Sequence, residues 1–245
     1  MKNKILILIM TFTLIVSVEY AMADDVESCR ANYEKTKLTI QELKKDAYSV
    51  YVSLASDRKK KFIEECSAKI LSYLTDNIFP AWYGTKWSFN GNSIIPGKDS
   101  IACGFYVIQT LNDAGFKIPR KMALQPSENI IKNLVDHSRI KKFSNREPMN
   151  KIKEWIQSQG HGLFLVGLDQ HVGFIIYTKN VVTFCHSNYY DPPLAVENKE
   201  ILLRSPLTDS KYRVMAKLLG EEMIEKWIKG YKFEIEYDYF KYRDR

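Results

Sequence analysis

Cysteine is scarce in this chain: four residues, Cys29, Cys66, Cys103 and Cys185, in 245. That is too few for a disulfide-stapled scaffold. No C-x-x-C or H-x-x-x-H pair occurs, so the short-spaced ligand pattern of a zinc site is lacking as well, and no metal or other cofactor is expected. Beyond residue 23 no apolar run approaches the ~20 residues of a spanning helix, which argues against an integral membrane segment. Concentrated basic charge is also missing. The net charge is +7, yet lysines and arginines are scattered among acidic residues, and the runs Arg58–Lys61 and Arg139–Lys142 are short. A nucleic-acid footprint is denser and carries a binding motif, so no nucleic-acid partner is expected. A modest attraction to anionic cell-envelope polymers is compatible with the excess. There is no internal repeat and no low-complexity tract.

What is present begins with an export signal. Lys2 and Lys4 precede an apolar run, Ile5 to Val18, broken only by threonine and serine. Ala21-Met22-Ala23 then gives the small-x-small pattern read by signal peptidase, with Asp24 and Asp25 just beyond. This order describes a secretory signal peptide over residues 1–23. The expected location is periplasmic or secreted. The about 220 residues that follow suffice for one sizeable core.

Residues 28–54 carry an apolar stripe at helical spacing: Cys29, Tyr33, Ile40, Leu43, Ala47, Val50, Tyr51 and Leu54. A second stripe follows the N-cap pair Ser56-Asp57 and runs through Phe62, Ile63, Cys66, Ile70, Tyr73, Leu74 and Ile78, with Pro80 as its stop. An N-terminal helical hairpin over 24–79 is expected. In a straight hairpin Cys29 and Cys66 lie roughly 25 Å apart at ~1.5 Å rise per residue. A bridge between them requires the first helix to break, and the pattern leaves that open.

From Trp82 to Asp99, Gly, Asn, Pro and aromatic residues mark a loop. A helix is expected over 103–114, with Gly115 as its stop, and shorter helices over 127–136 and 149–158. Three β-rich runs follow: Leu163–Leu168, His171–Tyr177 and Val181–Ser187, the last two joined by a tight turn at Thr178-Lys179-Asn180. Residues 211–219 fit strand or helix, 220–229 fit a helix, and Phe233–Tyr239 alternate like a strand. Helices first and antiparallel strands after give an α+β class, with the second domain over 80–245.

Cys103 stands where a loop becomes a helix. Unpaired N–H groups and the macrodipole there favour a thiolate, although a small buried residue at a helix start fits equally well. Gly104 beside it leaves room for a substrate to approach the backbone. His171 opens a strand on which Gly173 shares its face; a structural histidine is the plainer reading of it taken alone. His186 closes the next strand, so the hairpin brings both imidazoles to one end. A thiol, a base and an orienting group make a nucleophile constellation. Cys185 alternates with His186 and points the other way. Two rival readings stay open: a Cys103–Cys185 disulfide, and a zinc site built from Cys103, Cys185, His171 and His186. His137 and His161 have no comparable context.

Tyr83-Gly84-Thr85-Lys86-Trp87, Asn90-Gly91 and Ala102-Cys103-Gly104-Phe105-Tyr106-Val107, followed by His171-Val172-Gly173-Phe174-Ile175 and His186-Ser187, resemble in order and content the motifs of the NlpC family of cell-wall cysteine peptidases. The resemblance covers roughly residues 80–190. It implies a papain-like helix packed on a small antiparallel sheet, here with the N-terminal helical hairpin added. Cys103 would be the nucleophile, His171 the base and His186 the orienting residue, with Tyr83, Trp87 and Gly104 at the substrate. The implied substrate is an amide bond in a peptidoglycan stem peptide. Ala102 and Gly104 replace the family's aspartate and serine, which help recognise the stem-peptide amine. Two alternatives accompany this reading: an amidase or acyltransferase acting on a lipid or protein, and a non-catalytic secreted binding module with Cys103 and Cys185 joined.

Overall fold

Apolar residues three and four apart build the first helices of the computed structural model, which describes residues 25–242. The expected signal peptide and its cleavage point lie outside the described residues. Helix α1 (Tyr33–Ser53) buries Tyr33, Ile40, Ala47 and Tyr51, while Val50 faces out. Helix α2 (Ser56–Tyr73) buries Ile63, Cys66 and Ile70. Pro80 does not end this helical path. The chain passes through a π turn, Leu74–Ile78, into a short helix α3 (Phe79–Trp82) that has Pro80 in its first turn. A missing N–H costs no ladder bond there.

Helix α4 (Cys103–Asp113) stops before Gly115, which adopts the left-handed conformation at φ 87°. Next come α5 (Ser127–Leu134), strand β1 (Lys141–Ser144) and α6 (Met149–Ser158). The sheet continues with β2 (Gly162–Leu168), β3 (Val172–Thr178), β4 (Val181–Ser187) and β5 (Val196–Glu200). The short α7 (Pro206–Asp209), β6 (Tyr212–Lys217) and α8 (Glu221–Ile228) complete the order. The six strands pair antiparallel throughout, in the order β1-β6-β2-β3-β4-β5. The architecture is α+β on an antiparallel sheet, wider than the three apolar runs suggest.

Alternation along the strands gives the sheet two buried faces. Val172, Phe174, Ile176 and Cys185 join the core formed with α1 to α5 and α8. Ile175, Tyr177, Val182 and Phe184 pack with Ile152 and Ile156 of α6. The N-terminal hairpin is therefore part of the main core: Tyr33, Ile40 and Ile70 share one apolar cluster with Tyr106, Leu111 and Phe174. All four cysteines are free thiols, and the Cys29 thiol donates to the Asp76 carbonyl at 3.6 Å. No helix among the described residues is long and apolar enough to cross a membrane.

Phe233–Tyr239 is not a strand. Its only ladder-like contact is a single bridge, Lys117 to Lys232, just ahead of it. Side-chain amides take the place of a neighbouring strand. Asn133 Oδ1 accepts from the N–H groups of Glu236 and Tyr237 at 2.8 and 3.0 Å, and Gln125 Oε1 from that of Tyr239 at 2.8 Å.

Candidate active site

The segment that delivers Cys103 is tied to the sheet before the helix begins. Gly84 N–H donates to Val196 O and Val196 N–H to Thr85 O, both at 2.9 Å, and Trp87 N–H donates to Leu194 O at 2.8 Å. Closer to the thiol, the Ser187 hydroxyl at the end of β4 donates to Ile101 O at 2.7 Å. Ala102 is the extended N-cap residue (φ −81°, ψ 159°) and offers no side-chain cap. The first N–H groups of α4 are thereby left free of a capping oxygen. Burial pushes the Cys103 thiol up, and the backbone N–H groups of Val172, Gly104 and Cys103 itself oppose that by bonding the sulfur. The sulfur thus lies against the backbone of the residue after His171.

Gly104 is buried, and the Ala123 carbonyl oxygen lies 2.2 Å from where a Cβ would stand. The absent side chain makes room for the 3₁₀ turn Arg120–Leu124 rather than for a ligand. Only the neighbouring cavity gives Gly104 a place at the site.

The two histidines meet as the hairpin register requires. His171 Nε2 and His186 Nδ1 are 2.9 Å apart. Gly173 permits it, because a Cβ there would come within 2.8 Å of His186 Cβ and of the Phe184 ring. Phe184 stacks on His186, with centroids 4.1 Å apart. His171 is 3% exposed, and its Nδ1 is buried without a hydrogen-bond partner. A buried polar nitrogen left unbonded is costly unless something uses it. Burial holds His171 well below its ordinary value, with His186 adding to the effect. Burial also lowers His186, against an opposing pull from Glu197.

Cys103, Gly104, His171 and Val172 line one cavity of about 580 Å³. Its other walls include Leu124, Ile130, Leu168, Tyr239 and Phe240. Trp87 reaches the site through Tyr189, whose ring lies 5.8 Å from Trp87 and 5.0 Å from His171. Tyr83 is not brought to this cleft. It lines a different cavity with Leu71, Ile176 and Asn198, and its hydroxyl engages Cys185 and Asn198. Cys185 faces the helical side and shares a 3.1 Å contact with the Tyr106 hydroxyl; burial pushes its thiol up to about 12. Among the described residues no group of three or more His, Cys, Asp or Glu could hold a metal ion, so the four-residue zinc arrangement does not assemble. His137 and His161 pack on Tyr237 and Tyr177, each 4.6 Å between centroids, away from the site.

Three residues at the site were given no role from the sequence, although Ser187 belongs to the His186-Ser187 motif. Ser187 follows His186 directly and Tyr189 lies three residues past it, so the strand end carried a signal for both. Glu197 carried none. It stands opposite His186 in the β4–β5 register, with Oε1 3.6 Å from His186 Nε2 and Oε2 2.7 Å from Lys199 Nζ. Burial raises the Glu197 carboxyl, but the nearby His186 and the ion pair with Lys199 outweigh that and hold it below its ordinary value. None of the family models, curated proteins or solved structures compared with the chain matches it.

Proposed function

We propose that this chain is an exported thiol hydrolase that cleaves amide bonds, with Cys103 as nucleophile, His171 as general base and His186 as the residue that orients it. The observation that carries the reading is the state of His171: Nε2 held by His186, Nδ1 buried and unpartnered, in a cavity shared with a thiol at a helix N-terminus. Buried polar nitrogens without a protein partner are uncommon in folded proteins, and sites that bind a ligand are one place where they occur. An imidazole that takes a proton from a thiol is such a case.

In the mechanism, the Cys103 proton passes to His171 Nδ1 as the sulfur attacks the amide carbonyl. The Cys103 backbone N–H stabilises the oxygen that gains charge. His171 then protonates the leaving amine, and water, deprotonated by the same ring, releases the acyl group from sulfur. No hydrogen bond joins the thiol to His171 at rest, and such contacts commonly tighten only with substrate.

Following the resemblance to the NlpC family, the first substrate class is the peptide stem of peptidoglycan. Digestion of purified muropeptides followed by mass spectrometry tests it: new peptide fragments are expected from the wild type and none from Cys103→Ala. Full activity in Cys103→Ala refutes the nucleophile. A second reading keeps the thiol chemistry on a lipid or protein substrate, and one observation favours it. The cavity wall is apolar at Leu124, Ile130, Leu168 and Phe240, while Glu128, which also lines it, is engaged by Lys132 and Lys142. The non-catalytic module built on a Cys103–Cys185 bridge has no support from two free thiols.

A further inference from the structure

The His171 imidazole is buried and the Cys103 thiol half-buried, so both resist charging, and the proposed chemistry needs both charged at once. Transfer of a proton from Cys103 to His171 creates an imidazolium on a ring that is 3% exposed. Desolvation opposes it strongly. Some fixed negative charge has to offset that cost.

The groups facing the histidine pair can be gone through one by one. From α4 comes Cys103 itself. From the segment after β4 comes Tyr189, a neutral phenol whose own ionisation is opposed by burial and by Cys103. From the β2–β3 turn comes Asp169, whose Oδ2 accepts from the Ser210 hydroxyl and the Lys211 N–H. From α6, which packs on the face of the sheet that carries Phe184, Lys153 is paired with Glu200, three residues along from Glu197. From β5 come Glu197 and Lys199, and only Glu197 reaches an imidazole nitrogen. Its side chain is 16% exposed.

We infer that Glu197 is a positioning residue of the thiol site, acting through His186 to stabilise the imidazolium that forms at His171. The inference rests on the thiol-hydrolase reading above. The proton count is simple. The Cys103 S–H bond breaks and a His171 Nδ1–H bond forms. His171 keeps its Nε2 proton and donates it to His186 Nδ1, and His186 directs its Nε2–H at Glu197 Oε1. No further proton moves. At 3.6 Å the last contact is longer than a formed hydrogen bond, so at rest Glu197 acts as a nearby charge and as the group that selects the His186 tautomer. The lone pair left on His171 Nδ1 is the consequence at the far end of the chain. Lys199 opposes the effect, because its cation sits on the other carboxylate oxygen.

The test is the rate of Cys103 alkylation by iodoacetamide as a function of pH, in the intact protein, with the modified residue located by peptide mass spectrometry. A unit charge near a forming imidazolium at an effective dielectric near 20 moves such a midpoint by an amount on the order of one pH unit. Glu197→Gln is therefore expected to shift the midpoint upward by about that much, with the folded state verified by circular dichroism. Glu197→Asp, which keeps the charge, should restore most of it. Lys199→Gln should move the midpoint the opposite way, since it removes a cation. A merely structural role for Glu197 changes stability and leaves the midpoint in place. Unchanged midpoints in both Glu197→Gln and Lys199→Gln overturn the inference while leaving the thiol reading intact. A wild-type Cys103 that iodoacetamide does not modify at any pH overturns both.

Discussion

A buried imidazole bonded to a second buried imidazole makes the site sensitive to acid. Both rings sit below the ordinary 6.5, each chiefly because burial penalises the cation. A base with a depressed folded pKa takes its proton more readily when unfolded. The stability tied to the neutral pair is complete above about pH 6.5 and is lost as the pH falls through the folded values. Thermal midpoints should fall below pH 6.5 in the wild type and fall less steeply in His171→Asn. Equal slopes in the two proteins contradict the assignment. Gly104 supplies a second test at this scale. Gly104→Ala drives a methyl into the Ala123 carbonyl and should cost about 1–3 kcal/mol of stability, read by denaturant unfolding. The places of Cys103 at a helix start and of His171 and His186 at one end of a hairpin were legible because helix and strand patterns fix them. Glu197 was not, since its importance comes from strand pairing that brings residue 197 opposite residue 186.

Strands β1 and β5 explain why element-level reading stopped at three runs. Their sequences, Lys141-Lys142-Phe143-Ser144 and Val196-Glu197-Asn198-Lys199-Glu200, lack apolar alternation because each lies at a sheet edge, where charged side chains face water. Phe233–Tyr239 misled in the opposite direction. Phe233 is buried and Ile235 partly so, which imitates a strand, while the bonding partners are amides of Asn133 and Gln125 and leave no trace in local sequence. Pro80 misled because a π turn had already displaced the helical ladder. The β3–β4 turn, by contrast, was readable. Lys179 and Asn180 both adopt positive φ, 49° and 61°, the conformation of a type I′ turn that favours Asn-Gly. The double substitution Lys179→Asn, Asn180→Gly should therefore stabilise the fold by about 1 kcal/mol. Because this turn lies at the end of the hairpin away from the histidines, Cys103 alkylation should be unaffected. A loss of stability would show that Lys179 makes a contact that outweighs its backbone cost.

One polar cluster joins the N-terminal hairpin to the rest of the fold, beside the apolar core they share. The Tyr33 hydroxyl, from α1, bonds the Asp113 carboxylate at the end of α4, and Trp82 Nε1 donates to the same hydroxyl at 2.9 Å. Gln109 Nε2 donates to both Asp113 oxygens at 3.1 Å. The N-terminal hairpin, read from the sequence as an extension, is thus locked to the helix that carries the nucleophile. Burial raises the Asp113 carboxyl above its ordinary 3.8, and the Tyr33 and Gln109 donors offset only part of that. An acid with a raised folded pKa stabilises the fold fully below about pH 3.8 and loses that contribution as the pH rises through the folded value. At neutral pH the carboxylate depends on its donors. Tyr33→Phe removes one of them and leaves a buried charge less well bonded, so its cost should be about 1–3 kcal/mol at pH 7. The carboxyl pKa should rise further in the variant, and the cost should shrink at pH 4, where more of Asp113 is protonated. Urea unfolding of wild type and variant at the two pH values measures both quantities. A cost independent of pH would mean that the loss comes from the Trp82 N–H left without its acceptor rather than from Asp113, and two separate transitions would mean that the hairpin folds apart from the sheet.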